Sequence, residues 1–151
     1  MPSSRFEPET DGPTPLFLDT SGLFAYFHPR ADEHERTREF FQDVLMGSTP
    51  YRPLYTHTYV VDELVTLLQS KATPSLAREA FERIVRSDAI ELLYETESRF
   101  DAVGEGLTTY DDHEISFTDH MIAVTMRERN VDHVLAYDGD FATLGMTAIP
   151  R

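Results

Sequence analysis

The sequence predicts an α/β domain, a three-layer α/β/α sandwich around a central, mostly parallel sheet. Three observations carry this. Short all-apolar runs such as Leu16-Phe17-Leu18 lack polar alternation, as expected of strands covered on both faces. Between such runs lie amphipathic stretches of helical length. The two kinds of segment alternate along the chain, which favours parallel strands joined by helical crossovers. A length of 151 residues suits one domain with a real core.

Residues 1 to 15 carry Pro2, Pro8, Pro13 and Pro15 among acids and small polar residues, and read as a disordered or loosely ordered tail. The domain is expected over residues 16–151, beginning with a strand at Leu16 to Asp19. Thr20 or Ser21 can cap a helix toward Phe27, which Pro29 stops. Glu33 to Met46 is helical, with Phe40, Phe41, Val44 and Leu45 on one side and Gly47 as its end. Leu54 to Thr56 reads as a short strand and Thr58 to Ser70 as a strong helix. Thr73-Pro74 opens the next helix, to about Ser87, with a cap and a first-turn proline. Ile90 to Tyr94 is a strand. Glu97 to Tyr110 is a helix weakened by Gly104 and Gly106. After a polar turn at Asp111 to Glu114, Thr118 to Arg129 is a helix closed by Asn130. Val131 to Tyr137 and Thr147 to Ile149 are the last strands.

Composition narrows the chemistry. Cysteine is absent, which excludes disulfides and thiolate metal sites. There is no long apolar span and no basic-then-apolar leader, so a cytoplasmic protein without membrane contact is expected. Net charge is −14, and Lys71 is the only lysine among 13 basic residues. Such charge destabilises a compact chain in dilute buffer, whereas at about 1 M salt the screening length falls to roughly 3 Å. The reading is adaptation to a high-salt cytoplasm. The same charge opposes nucleic-acid binding away from any cation.

Against this background, four carboxylates stand out by position. Asp19 closes the first apolar run and Asp138 the last long one, and positions past strand ends gather along one edge of a parallel sheet. Each also has an ordinary explanation: an aspartate often caps a helix, and Asp138-Gly139 is a turn signal. Glu63 lies three residues after Val60 and four before Leu67, so it flanks the apolar stripe, while Asp62 points away from it. A rim residue paired with an arginine is the alternative for Glu63. Asp119 shares a stripe with Ile122, Ala123 and Met126, where a charge needs a partner, although a first-turn aspartate also meets free backbone N–H groups. Asp140 is open as a further ligand, a water-mediated contact or a turn residue. Like charges converging at one edge repel unless a cation neutralises them. With oxygen donors only, and no paired histidines, Mg²⁺ or Mn²⁺ is favoured over zinc. His120 reads as a surface residue.

Leu18-Asp19-Thr20-Ser21, Val61-Asp62-Glu63-Leu64, Ile115-Ser116-Phe117-Thr118-Asp119 and Leu135-Ala136-Tyr137-Asp138-Gly139-Asp140-Phe141 together resemble the PIN domain superfamily, and within it the VapC-type ribonuclease toxins. The similarity runs from about Leu16 to Ile149. It implies an α/β sandwich and metal-dependent endonucleolytic cleavage of RNA. It implies Asp19, Glu63, Asp119 and Asp138 as the acids on Mg²⁺ or Mn²⁺, with the hydroxyls of Thr20, Ser21 and Thr118 nearby. It further implies a small antitoxin partner and a homodimer. Arg30, Arg36 and Arg52 are candidates to grip the RNA backbone. Competing readings are a phosphohydrolase of the haloacid dehalogenase type, which wants an Asp-x-Asp where this chain has Asp19-Thr20-Ser21, and a PIN-like module that binds without catalysis. A receiver domain wants a lysine after a late strand, and Lys71 is in the wrong place for that.

Overall fold

The computed structural model describes residues 5–9 and 11–151. Five strands form one parallel sheet: β1 (Thr14–Leu18), β2 (Tyr51–His57), β3 (Ile90–Leu93), β4 (His133–Leu135) and β5 (Thr147–Ile149), in the order β3-β2-β1-β4-β5. The chain steps outward from β1 to β2 to β3, then crosses back to β4 and continues to β5. The strand order therefore reverses between neighbours β1 and β4.

The helices are α1 (Thr20–Phe27), α2 (His34–Leu45), α3 (Thr58–Lys71), α4 (Pro74–Arg86), α5 (Glu97–Thr109), α6 (Phe117–Glu128) and the single-turn α7 (Asp140–Thr143). Right-handed crossovers put α1 to α4 on one face and α5 to α7 on the other. The packing agrees: α1 meets α2 and α3, α3 meets α4, and α6 meets α5 and α7. Leu16, Phe17 and Leu18 are fully buried between these layers, as are Val60, Leu64 and Leu68 of α3 and Ile122, Ala123 and Met126 of α6. Among the described residues no helix is long and apolar enough to cross a membrane.

Several boundaries differ from the sequence reading. β1 begins at Thr14, because Thr14 N–H donates to the Pro50 carbonyl at 2.9 Å and Thr14 pairs with Tyr51. β2 is correspondingly longer than Leu54 to Thr56. The expected loose tail falls partly on residues 1–4 and 10, which lie outside the described residues. Within it, Phe6 is buried and stacks on Phe40 at 4.6 Å, so apolar packing draws this stretch onto α2. β4 is shorter than Val131 to Tyr137. Asn130, at φ 56°, turns the chain so that Val131 N–H bonds back to the Met126 carbonyl and finishes α6. Asp19, not Thr20 or Ser21, caps α1.

One close approach locks the site-bearing elements together. A Cβ on Gly22 would lie 2.6 Å from the Leu135 carbonyl oxygen and 2.7 Å from Leu135 Cγ, so α1 can rest on the end of β4 only with glycine there. Gly22→Ala is expected to lower stability by about 1–3 kcal/mol, the usual cost of overpacking. Urea unfolding should show a lower midpoint at an unchanged slope; a midpoint equal to the parent's would contradict the packing described.

Candidate metal centre

The reversal between β1 and β4 creates a crevice at the carboxyl edge of the sheet, the place where open α/β sheets hold ligands. Asp19 follows β1 and Asp138 follows β4. Their frames are tied together, since Asp19 N–H donates to the Leu135 carbonyl at 3.1 Å. Asp119 reaches the same crevice from the first turn of α6, where the Ser116 hydroxyl accepts its backbone N–H at 3.1 Å. Asp19, Asp119 and Asp138 each offer a carboxylate oxygen, and all three oxygens lie within 4.8 Å of one another.

Asp19 is 1% exposed. Its Oδ2 accepts from the Ser21 hydroxyl at 2.7 Å and the Ser21 backbone N–H at 3.3 Å, while its Oδ1 is buried with no hydrogen-bond partner. The Ser21 hydroxyl also accepts the Tyr137 backbone N–H at 2.9 Å, so one serine joins the ends of β1 and β4. Thr20 is buried with an unpartnered hydroxyl oxygen; Thr118 is half-buried, one residue before Asp119.

All three acids are pushed away from their ordinary range. Burial, then the charge of Asp138, raises Asp19 to about 7, against the opposing hydrogen bonds from Ser21 and Thr20. Burial raises Asp119 to about 8, with the charges of Asp19, Asp138, Asp140 and Glu63 adding to it. Asp138 is exposed at its surface, yet partial desolvation raises it too, helped by Asp140 and Glu63. Glu63 and Asp140 stand outside the three-oxygen cluster but close enough for their charges to be felt in it. Glu63 is exposed on α3, and Asp140 opens α7, a single turn of helix to which the sequence reading gave no element.

The remaining candidates separate clearly. His120 is buried, not on the surface, because Gly106 of α5 leaves room for its ring: a Cβ there would lie 2.8 Å from Nδ1. Arg52 sits near the start of β2, at the opposite end of the strand from the acids. Arg36 lies 4.9 Å over the Tyr137 ring, beside the crevice. Sequence reasoning missed Tyr137 as a site neighbour; its place directly before Asp138 was the available signal.

A family model described as PIN domain matches residues 16–145. The chain belongs to the PIN domain family. Among solved structures, this PIN domain is similar to Mycobacterium tuberculosis VapC20, described as a sarcin-ricin loop cleaving toxin. The TM-score is 0.77 at 26% identity, over 87% of this chain and 96% of that one. It shares its fold with FitAcB from Neisseria gonorrhoeae (TM-score 0.62, 18% identity, 88% and 95% covered). It also shares it with Rickettsia felis VapBC2, solved with a DNA fragment from its promoter (TM-score 0.63, 12% identity, 89% and 97% covered). No curated protein sequence matches.

The raised acids have a measurable consequence. A carboxyl whose pKa rises on folding costs no stability below its unfolded value and progressively more up to its folded value. For Asp19 and Asp119 the window runs from their ordinary 3.8 to about 7 and about 8. Stability in chelator should therefore fall across this window. Asp119→Asn should gain thermal stability relative to the parent at pH 8 by more than at pH 5. An equal difference at both pH values would refute the electrostatic account.

Proposed function

We propose that this PIN domain protein is a divalent-metal-dependent endoribonuclease hydrolysing RNA phosphodiester bonds, the toxin of a type II toxin-antitoxin pair, with residues 16–151 as the nuclease domain. The observation that carries the reading is the buried three-carboxylate cluster at the strand-order reversal. Three acids within 4.8 Å, two of them buried, repel one another, and Asp19 Oδ1 is buried without a hydrogen-bond partner among the described residues. An all-oxygen donor set fits Mg²⁺ or Mn²⁺. The likeness to VapC20, described as a sarcin-ricin loop cleaving toxin, supports a nuclease rather than another phosphohydrolase.

Asp19, Asp119 and Asp138 would hold the cation, with Glu63 and Asp140 adding negative charge around it. Such an ion, when bound, supplies water activation and neutralises charge developing on the phosphoryl group. The chain's own work is positioning. Ser21 fixes the orientation of Asp19 and anchors Tyr137. The first turn of α6 presents Asp119 on rigid backbone, and Thr20 and Thr118 leave hydroxyls beside the acids. No nucleophilic side chain is needed. A small antitoxin covering the crevice, a homodimer and a high-salt cytoplasm complete the proposal.

Cleavage of RNA should require Mg²⁺ or Mn²⁺ and cease in EDTA. Asp19→Asn and Asp119→Asn should each lower cleavage by well over a hundredfold, beyond the roughly 10–100-fold typical of a merely supporting residue. Both variants should also lose Mn²⁺ binding by calorimetry. Unimpaired cleavage by both would sink the assignment.

The charge reading is tested separately. Raising KCl from about 0.1 M to about 1 M shortens the screening length from roughly 10 Å to 3 Å. The unfolding temperature of the parent should rise over that interval, and an unchanged or falling value would reject salt adaptation.

A further inference from the structure

The three clustered carboxylates are held unequally. Asp19 and Asp119 are buried, and each belongs to the start of a helix. Asp138 is exposed and lies in the turn between β4 and α7, outside both elements. Like charges on Asp19, Asp140 and Glu63 act on it. An untethered turn would swing this carboxylate into water, where repulsion and partial desolvation are both relieved.

The tether is the residue before it. Ala136 N–H still donates to the Ile149 carbonyl of β5 at 3.1 Å, and Tyr137 N–H donates to the Ser21 hydroxyl of α1 at 2.9 Å. The Tyr137 side chain then reaches α2, where its hydroxyl bonds to that of Thr37, a fully buried residue. Thr37 directs its single hydroxyl proton at the Glu33 carbonyl, 2.7 Å away, so Tyr137 is the donor and Thr37 the acceptor. Arg36, next to Thr37, lies 4.9 Å over the Tyr137 ring. This part of α2 is a firm anchor, because Phe40, Phe41 and Val44 pack the helix into the core. Tyr137 is therefore fixed twice, at its backbone N–H and at its phenol tip. A residue held at both ends cannot pivot, and the course of the chain at Asp138 is set with it.

We propose that Tyr137 is a positioning residue of the metal centre: its bond to Thr37 holds the turn so that Asp138 stays with Asp19 and Asp119. The assignment rests on the metal-dependent reading. It adds that the first turns of α2, which supply no carboxylate to the cluster, decide how well the site is preformed.

Phenylalanine separates this role from ordinary packing. Tyr137→Phe keeps the ring and leaves Thr37 its bond to Glu33, so no buried donor loses its partner. Tyr51→Phe is the matched control. It removes another hydrogen-bonded phenol, from the Phe6 carbonyl, at the start of β2 and away from the acids.

The test uses the full chain. Mn²⁺ binding is measured by calorimetry, and backbone amide order parameters are measured by NMR in EDTA. Tyr137→Phe and Thr37→Val should each weaken Mn²⁺ binding about tenfold, the lower end of the roughly 10–100-fold range for groups that orient a metal ligand. Thr37→Ser, which keeps the hydroxyl, should bind as the parent does. In metal-free Tyr137→Phe the order parameters of Asp138 and Gly139 should fall from roughly 0.85 to below about 0.6, while those in the first turn of α6 stay at the parent's. Tyr51→Phe should change neither readout. A parent-like Mn²⁺ affinity or an unchanged turn in Tyr137→Phe overturns the anchor. So do equal effects in Tyr51→Phe, or a loss in Thr37→Ser as large as in Thr37→Val. If the parent binds no Mn²⁺ but the turn loosens in Tyr137→Phe, the anchor stands and the metal-dependent reading falls.

Discussion

Everything at this site depends on forcing Asp19 into the gap between β1 and β4. Its backbone is fixed by the sheet through the Leu135 carbonyl, and its side chain is fixed by Ser21, so it cannot retreat from Asp138. The helix that follows sits so close to β4 that only glycine fits at position 22. Two strands and one helix thus hold like charges together, against their repulsion, by packing alone. The apolar run Leu16-Phe17-Leu18, buried on both faces, makes that frame stiff enough to do so.

The backbone offsets part of the repulsion. Asp19 caps α1, its carboxylate accepting the Ser21 N–H, and Asp119 lies in the first turn of α6, where the helix dipole favours negative charge. Burial still dominates, and both acids sit well above the ordinary carboxylate range. Helix ends position the acids without satisfying them. A polar cluster kept in that state by a rigid scaffold has its unmet demand directed at a ligand, since rearrangement of the protein cannot relieve it.

What the sequence made legible follows from periodicity. Asp19 and Asp138 could be found because apolar runs end at them, and Asp119 because it shares a stripe with Ile122 and Met126. The wheel separated Glu63 from Asp62, although Glu63 stays exposed and acts on the cluster through charge alone. What escaped were features fixed by distant partners. Thr14 becomes a strand residue only because Tyr51 is beside it, and Phe6 is buried only because Phe40 offers a ring. His120 goes inside because Gly106, read as a weakness of α5, makes space for it. Lys71 ends α3 and Arg30 lies in the loop after α1, and no local pattern could have placed them in one cleft.

The overall charge and a cation-loaded site would make opposite demands on a polyanion, and distance reconciles them. At physiological salt the field of a charged surface decays within about 8 Å, and near 1 M salt within about 3 Å. A polyanion approaching the molecule would be repelled only within that layer, and inside it the local groups decide. Three clustered carboxylates and the Tyr137 ring, held by Thr37, lie side by side at the carboxyl edge of the sheet. On so acidic a surface, the carboxylate cluster would accept an anion only through a cation that it holds.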